Sequence, residues 1–183
     1  MARPAKVLVV DGYNVIRSVT KYRRLIDEEI LDPTLHDVYI RARSALIADV
    51  AAFAKGRYDA TIVFDGFGNP DPHRDVRQTA GIAVTFSEPD EEADAVVERL
   101  VTQARAHGRD VTVVTSDKLV QSTVFGNGVT RMSARMFAGE ARQMNRAINE
   151  QREAPKHRKA TVGDRIPADV RHRLWLMSRG GRP

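Results

Sequence analysis

The sequence predicts an α/β protein in which helices cover both faces of a mostly parallel sheet. Short, continuous runs of Val, Ile and other apolar residues alternate along the chain with longer segments that have apolar residues at helical spacing. A continuous apolar run is typical of a strand buried on both faces, and the helical spacing is typical of a helix that packs against a sheet. The 183 residues are enough for one such domain with a sizeable core.

The predicted strands begin close to the N-terminus. They cover residues 5–10, 60–64, 81–86, 111–115 and 129–132. The last of them follows a Gly-Asn-Gly turn. Because the first four residues lead straight into the first predicted strand, we expect no signal peptide.

The predicted helices lie between these strands. They cover residues 35–55, 91–107, 118–125 and 134–150. In the second of them, the apolar residues from Ala93 to Ala104 share one face, and Gly108 ends the pattern. Strands that alternate with helices predict βαβ units with right-handed crossovers.

The excess positive charge of the chain lies in its C-terminal end. Residues 1–151 carry 20 Lys and Arg against 21 Asp and Glu, whereas residues 152–183 carry 9 against 3. We therefore predict a main domain over residues 1–150 and a basic extension over residues 151–183, with a short helix that contains Trp175. A basic tail suits a polyanionic partner. A solvated, partly disordered tail explains the same charges equally well.

The composition excludes several classes of protein. The chain has no cysteine, which rules out disulfides, zinc sites with thiolate ligands and cysteine nucleophiles, and which suits a cytoplasmic protein. No stretch approaches the roughly 20 apolar residues that a membrane-spanning helix needs, so no membrane partner is expected.

Acidic residues follow three of the predicted strands. The first strand ends in Asp11, the second in Asp65 and the fourth in Ser116 and Asp117. Since ligands of open α/β sheets bind beyond the carboxyl ends of the strands, we expect these carboxylates at one edge of the sheet. One such residue is usually a helix cap. Three neighbouring carboxylates repel one another, and a divalent cation would offset that repulsion.

A fourth acidic group opens the second long helix. Glu91, Asp94 and Glu98 share one face of the predicted helix. Acidic residues in a first turn also complement the helix dipole, although that explains Asp94 and Glu98 less well. A cluster of Asp and Glu without Cys or paired His predicts Mg²⁺ or Mn²⁺, ions that promote phosphodiester hydrolysis.

Two polar residues stand beside these acids. Asn14 would fix a water molecule or a phosphate oxygen, and Ser116 would hydrogen-bond a carboxylate or a ligand water. Capping and turn-forming roles are equally compatible with both residues.

The residues around these positions resemble a known family. The segments VLVVDGYNVI, VFDG, EEADAVVE and VVTSDKLVQ are similar to those of the NYN domain, specifically its bacterial YacP-like branch of PIN-like ribonucleases. The resemblance implies a PIN-like three-layer sandwich and a metal-dependent endoribonuclease that cleaves RNA, with mRNA at the ribosome as a candidate target. It implies metal-binding acids at Asp11, Asp94 and Asp117. Supporting positions are implied at Asn14, Asp65, Glu98 and Gln121.

A phosphodiesterase also needs positive charge around its acidic pocket to attract the substrate. Tyr13 beside the predicted metal site would stack on a base or simply pack in the core. The complete set of residues predicted to contact RNA is Tyr13, Arg74, Arg77, Arg131, Arg135, Lys156, Arg158 and Lys159.

Other functional classes fit less well. A phosphatase of the haloacid dehalogenase kind needs a second Asp two residues after the first, where this chain has Tyr13. A receiver-like domain leaves Asn14 and Asp94 unexplained, and the glycine-rich motif of a dinucleotide-binding fold is absent. The remaining alternative is a non-catalytic RNA- or ribosome-binding adaptor with a PIN-like fold.

Overall fold

The computed structural model describes residues 6–31, 37–66, 76–88, 90–116 and 128–153, together with residue 170. The helix predicted at 118–125 and most of the helix predicted in the tail lie outside these ranges. The chain divides into two compact units, Met1–Ala147 and Ile148–Pro183. None of the described helices is long and apolar enough to cross a membrane.

The described strands form one six-stranded sheet in the order β3-β4-β2-β1-β5-β6. The strands are β1 (Lys6–Asp11), β2 (Tyr58–Phe64), β3 (Arg77–Thr79), β4 (Ile82–Phe86), β5 (Val111–Val114) and β6 (Val129–Met132). Every pair is parallel except β3 with β4. The predicted mostly parallel sheet is therefore confirmed. The sequence missed β3 because its three residues are polar and exposed, so they carry no apolar signal.

Five helices are described. They are α1 (Gly12–Ser18), α2 (Thr20–Ile30), α3 (Ile40–Ala54), α4 (Ala93–Ala106) and α5 (Ala134–Glu153). The sequence predicted α4 and α5 to within three residues at each end and placed the start of α3 five residues too early, and it missed α1 and α2. The buried side of α2 contains Tyr22 and the charged Glu29, so its apolar spacing is interrupted.

The helices bury the two faces of the sheet separately. On one face Leu8 and Val10 of β1 pack with residues of α1, α3 and α5. On the other face Val7 and Val9 pack with Val96 and other residues of α4. The predicted layered arrangement is confirmed. It places β1 in the interior of the sheet, with β2 on one side and β5 on the other.

A close backbone approach fixes the start of α1. A Cβ atom at Gly12 would lie 2.3 Å from Cε1 of Phe64 and 3.0 Å from the carbonyl oxygen of Val63. Phe64 is fully buried, so it has little room to move aside. Gly12 therefore allows the chain to turn from β1 directly into α1 beside the end of β2.

A buried carboxylate joins three of the helices. Asp49 of α3 accepts hydrogen bonds from Lys21 Nζ at 2.5 Å and Tyr22 Oη at 2.7 Å in α2. It also accepts one from Asn145 Nδ2 at 2.9 Å in α5. Because both oxygens have donors, the cost of burying this charge is largely offset.

Candidate active site

Asp11 lies at the carboxyl end of β1, in the interior of the sheet, and only 7% of it is exposed. One carboxylate oxygen, Oδ1, accepts a 3.1 Å hydrogen bond from the backbone N–H of Asn14 and caps α1. The other, Oδ2, accepts a 3.3 Å hydrogen bond from the hydroxyl of Thr115, directly after β5. These two bonds orient the carboxylate between two adjacent parallel strands.

The neighbourhood of Asp11 is also a topological switch point. The chain leaves β1 toward α1 on one face of the sheet, whereas α4, which precedes β5, packs on the opposite face. In open α/β sheets ligands bind at such a point, beyond the carboxyl ends of the strands. The fold therefore places Asp11 where a ligand site is expected.

Asn14 and Ser116 connect α1, the end of β5 and the start of α5. Asn14 Oδ1 accepts a 2.7 Å hydrogen bond from the backbone N–H of Ser116. Ser116 Oγ in turn accepts a 3.2 Å hydrogen bond from the backbone N–H of Ala134. The described contacts of these two side chains thus hold backbone in place, which makes both of them positioning residues for the segment that leads to Asp117.

Asp65 follows β2 and is half-buried. Its surroundings are held by Ser87, which is fully buried: the Ser87 N–H donates to Phe64 O at 2.9 Å, and Ser87 Oγ accepts from the Gly66 N–H at 2.9 Å. The carboxyl ends of β2 and β4 are therefore linked, and Asp65 lies at the same edge of the sheet as Asp11.

The acidic helix reaches this edge with its first turn. Asp94 lies in the first turn of α4 and Glu98 one turn later, and both side chains are half-buried. Glu91, which the sequence placed on the same helical face, precedes the helix and is bound by Arg99. That hydrogen bond lowers the pKa of Glu91 and commits its carboxylate to an ion pair.

Within the described ranges, no three acidic or histidine side chains lie close enough together to hold a metal ion. Asp117 and Gln121, which the sequence included in the site, lie outside those ranges. The donors that the structure does place at this edge are carboxylate oxygens, from Asp11, Asp65, Asp94 and Glu98. That donor chemistry fits Mg²⁺ or Mn²⁺.

Tyr13 is packed rather than free. Its ring lies 5.1 Å from the rings of both Tyr39 and Phe64, centroid to centroid, and its hydroxyl accepts a 2.9 Å hydrogen bond from Arg43. Burial raises the pKa of Tyr13, and the charge of Arg43 opposes that rise only in part. The exposed Arg17 lies over the same ring, 5.8 Å from its centroid. The ring is therefore held in one orientation at the start of α1.

The basic residues predicted to contact RNA divide into two groups. Arg77 on the outer strand β3, Arg131 on β6 and Arg135 in the first turn of α5 are all exposed. The remaining ones lie outside the described ranges and are Arg74, Lys156, Arg158 and Lys159.

Thr115 is the site residue that sequence reasoning missed. It is almost completely buried, and its hydroxyl donates to Asp11. The sequence treated it as the last residue of a predicted strand. A signal was available, because a second Thr stands at the end of this run, directly before the Ser-Asp pair.

A cavity of about 390 Å³ lies away from this edge. It is between α4 and the amino-terminal parts of β1 and β2, and its lining includes Val7, Asp59, His107 and Arg109. Arg109 Nη1 donates to Asp59 Oδ2 at 3.0 Å across it. The cavity is therefore separate from the carboxylates of the candidate active site.

The sheet order, the switch point at β1 and the acids at its carboxyl edge are those of a PIN-like fold. Together with the family match and the solved structures described next, they support a nuclease-type function related to RNA. Nucleases of this class usually use divalent metal ions.

The comparisons with known proteins agree with this class. The family model of the YacP-like NYN domain matches residues 8–179, so the chain belongs to the YacP-like NYN domain family. The predicted resemblance to that family is confirmed. The comparison with curated proteins gives no match.

Two solved structures show the same fold. The crystal structure of Rae1 (YacP) from Bacillus subtilis is 24% identical, with a TM-score of 0.67, over 96% of this chain and 95% of that chain. A single-substitution mutant of the same protein gives 25% identity and a TM-score of 0.63, over 94% of this chain and 99% of that chain. The similarity spans nearly the full length of both proteins.

Proposed function

We propose that this protein is a divalent-metal-dependent endoribonuclease that hydrolyses internal phosphodiester bonds of RNA. The observation that carries the proposal is the buried carboxylate of Asp11, which two hydrogen bonds orient at the switch point of the sheet. Asp65 and Asp94 reach the same edge from neighbouring elements. A role as a helix cap alone would not account for the further acids at the same edge of the sheet.

The residues proposed to hold the metal are Asp11, Asp94 and Asp117, with Asp65 and Glu98 in support. When bound, Mg²⁺ or Mn²⁺ supplies an acidified water and neutralises charge at the phosphate that is cleaved. In the hydrolysis, the oxygen of a water molecule bonds to phosphorus and one P–O ester bond breaks, which leaves a phosphate on one fragment and a hydroxyl on the other.

The chain's own residues orient these groups. Thr115 fixes the direction of the Asp11 carboxylate, and Asn14 fixes the backbone at Ser116, one residue before Asp117. Exposed arginines near this edge, Arg131 and Arg135 among them, would attract the RNA backbone. On the basis of the family resemblance, we also propose that the target is mRNA at the ribosome and that the protein acts in the cytoplasm.

The test is cleavage of a mixed single-stranded RNA pool with Mn²⁺ and with EDTA. We expect the wild-type protein to cleave only with the metal, and we expect Asp11→Asn and Asp117→Asn to lower the rate by several orders of magnitude. Asp110→Asn is the matched control, because it removes the same charge from an exposed residue before β5, at the opposite end of the sheet. RNA binding without cleavage, on free RNA and on translating ribosomes alike, would instead support the non-catalytic adaptor.

A further inference from the structure

Three arginines form a stripe along the exposed side of α5. Arg135, Arg142 and Arg146 are all exposed. At 100° per residue they lie within about 40° of one another around the helix axis. Phe137, which is fully buried, lies on the opposite side. The stripe therefore points away from the core.

Among the described residues these arginines have no carboxylate partner, as is also true of Arg23, Arg24 and Arg105, whereas other arginines of the fold are ion-paired. Arg41, Arg43, Arg99 and Arg109 each pair with a carboxylate. No ion pair or hydrogen bond joins the side chains of the stripe to another described residue, although Glu150 follows Arg146 by four positions. Arg142 and Arg146 are themselves four residues apart, a spacing at which like charges repel mildly. Solubility alone would favour alternating charges on this face.

Gly139 lies in the middle of the stripe. It is an exposed residue in a helix interior, where Gly costs roughly 1 kcal/mol relative to Ala. Packing within the described part of the chain does not require it, because a Cβ atom there would meet no atom within 4 Å apart from the adjacent backbone of its own helix. A glycine at this position keeps the surface between Arg135 and Arg142 low, so that another backbone can approach the helix closely.

The stripe begins beside the candidate active site. The N–H of Ala134, the first residue of α5, donates to Ser116 Oγ at the end of β5. Arg135 is therefore close to the carboxyl edge of the sheet. Arg142 and Arg146 follow along the helix axis. Because an α-helix rises by 1.5 Å per residue, Arg146 lies about 16 Å along the axis from Arg135.

We infer that the stripe of Arg135, Arg142 and Arg146 is a track for the RNA backbone, along which a single strand runs to or from the candidate active site. A length of about 16 Å accommodates up to roughly five stacked nucleotides at 3.4 Å each. Guanidinium groups bind phosphate oxygens in a bidentate manner, and contacts to phosphate carry no sequence information. The track thus binds the backbone without regard to sequence. The statement that the RNA strand leads to the candidate active site rests on the proposed nuclease function. The statement that the stripe binds RNA does not.

The test is the salt dependence of RNA binding, measured in EDTA with a fluorescent 20-nucleotide single strand so that cleavage does not interfere. The test variant replaces all three arginines of the stripe by Gln. The control variant makes the same three charge changes at the exposed Arg23, Arg24 and Arg105. We expect the stripe variant to bind at least roughly tenfold more weakly at low salt, with a slope of log K against log salt lower by about 2, since three phosphate contacts are lost at about 0.7 each.

A single replacement, Arg142→Gln, should lower the slope by about 0.7, so the test does not depend on the triple variant folding. Equal slopes for the stripe and control variants would overturn the inference. Polyglutamate serves as a competitor that has the charge of an acidic protein. If it displaces the RNA, and if RNA and polyglutamate bind with the same salt slope, the stripe is a site for an acidic protein and the inference is overturned. Cleavage with Mn²⁺ is measured separately. The binding assay therefore tests the RNA track and the cleavage assay tests the nuclease function, so that either one can fail without the other.

Discussion

The backbone N–H of Ser116 donates a 2.7 Å hydrogen bond to the side-chain oxygen Oδ1 of Asn14, and the bond joins residues 102 positions apart in the chain. It ties the first helix to the end of β5 at the residue before Asp117. The side chain of Asn14 thereby sets where the chain leaves the sheet at the candidate active site.

Replacement of Asn14 by Ala should lower kcat roughly 10- to 100-fold and leave KM nearly unchanged, because a shift of the next residue misplaces a reacting group without removing an RNA contact. The loss of one partly buried hydrogen bond should also lower the free energy of unfolding by about 1–2 kcal/mol. Cleavage kinetics and urea unfolding measure the two effects. Asn149→Ala, at an exposed position of α5, is the control. An unchanged kcat in the Asn14 variant would show that this bond does not position the site.

Replacement of Asp94 by Asn should lower Mn²⁺-dependent cleavage by orders of magnitude, because it removes a proposed ligand charge. Glu92→Gln, two residues earlier and exposed, should lower it less than about twofold, since exposed charges are strongly screened. Cleavage rates across a Mn²⁺ titration compare the variants. Similar effects from both substitutions would indicate a general effect of helix charge rather than a ligand.

Replacement of Gly12 by Ala should lower the free energy of unfolding by about 1–3 kcal/mol, because the added methyl group overlaps the buried ring of Phe64. Gly139→Ala makes the same chemical change in open space within a helix, and it should raise the free energy by up to about 1 kcal/mol. Urea unfolding of the two variants measures the difference. Equal effects would contradict the close approach at Gly12.

Tyr22 should make the protein less stable at alkaline pH. Burial and the hydrogen bond to Asp49 raise its pKa in the folded state above the ordinary value of 10. The folded state therefore keeps a proton that the unfolded state releases above about pH 10, and this contribution to stability declines by about 1.4 kcal/mol per pH unit from there upward. Urea unfolding between pH 9 and 11 should show a shallower decline for Tyr22→Phe than for the wild type. Parallel curves would contradict the assignment.

Replacement of Glu29 by Met should stabilise the protein. Glu29 is 3% exposed, its carboxylate oxygens have no hydrogen-bond donor among the described residues, and Arg41 Nε lies 3.8 Å from Oε1. A hydrophobic side chain of similar size removes the unsatisfied carboxylate, and the half-exposed Arg41 keeps its ion pair with Glu28, so we expect a gain of about 1–3 kcal/mol in the free energy of unfolding. Glu28→Met, at the exposed neighbouring position, should change it little. A loss of stability in the Glu29 variant would show that the carboxylate is needed where it lies.

The sequence predicted the sheet well because strands buried on both faces leave a continuous apolar run, as in β1, β2 and β5. It predicted the edge that carries Asp11, Asp65 and Asp94, since chain direction alone places strand ends and helix starts there. It missed α2 because the buried Glu29 interrupts the apolar face, and periodicity does not detect such a helix.

The roles of individual polar residues were harder to predict. Nothing in the local sequence around Asn14 shows that its oxygen is bound by the Ser116 backbone, because the partner is distant in the chain. The same holds for Asp49, whose spacing matched the apolar side of α3 and whose three donors come from other helices. Contacts of this kind are consequences of packing, and the pattern along one segment does not contain them.

The hydrogen bond between Thr115 and Asp11 spans 104 positions, from the first strand of the sheet to the fifth along the chain. During synthesis Asp11 is made early, whereas β5 and Thr115 are made only after more than half of the chain has been completed. During that interval β1 has one of its two neighbours at most, and the carboxylate lacks the hydroxyl that orients it. The candidate active site therefore assembles late in synthesis, and a growing chain that has not yet reached Thr115 does not contain it.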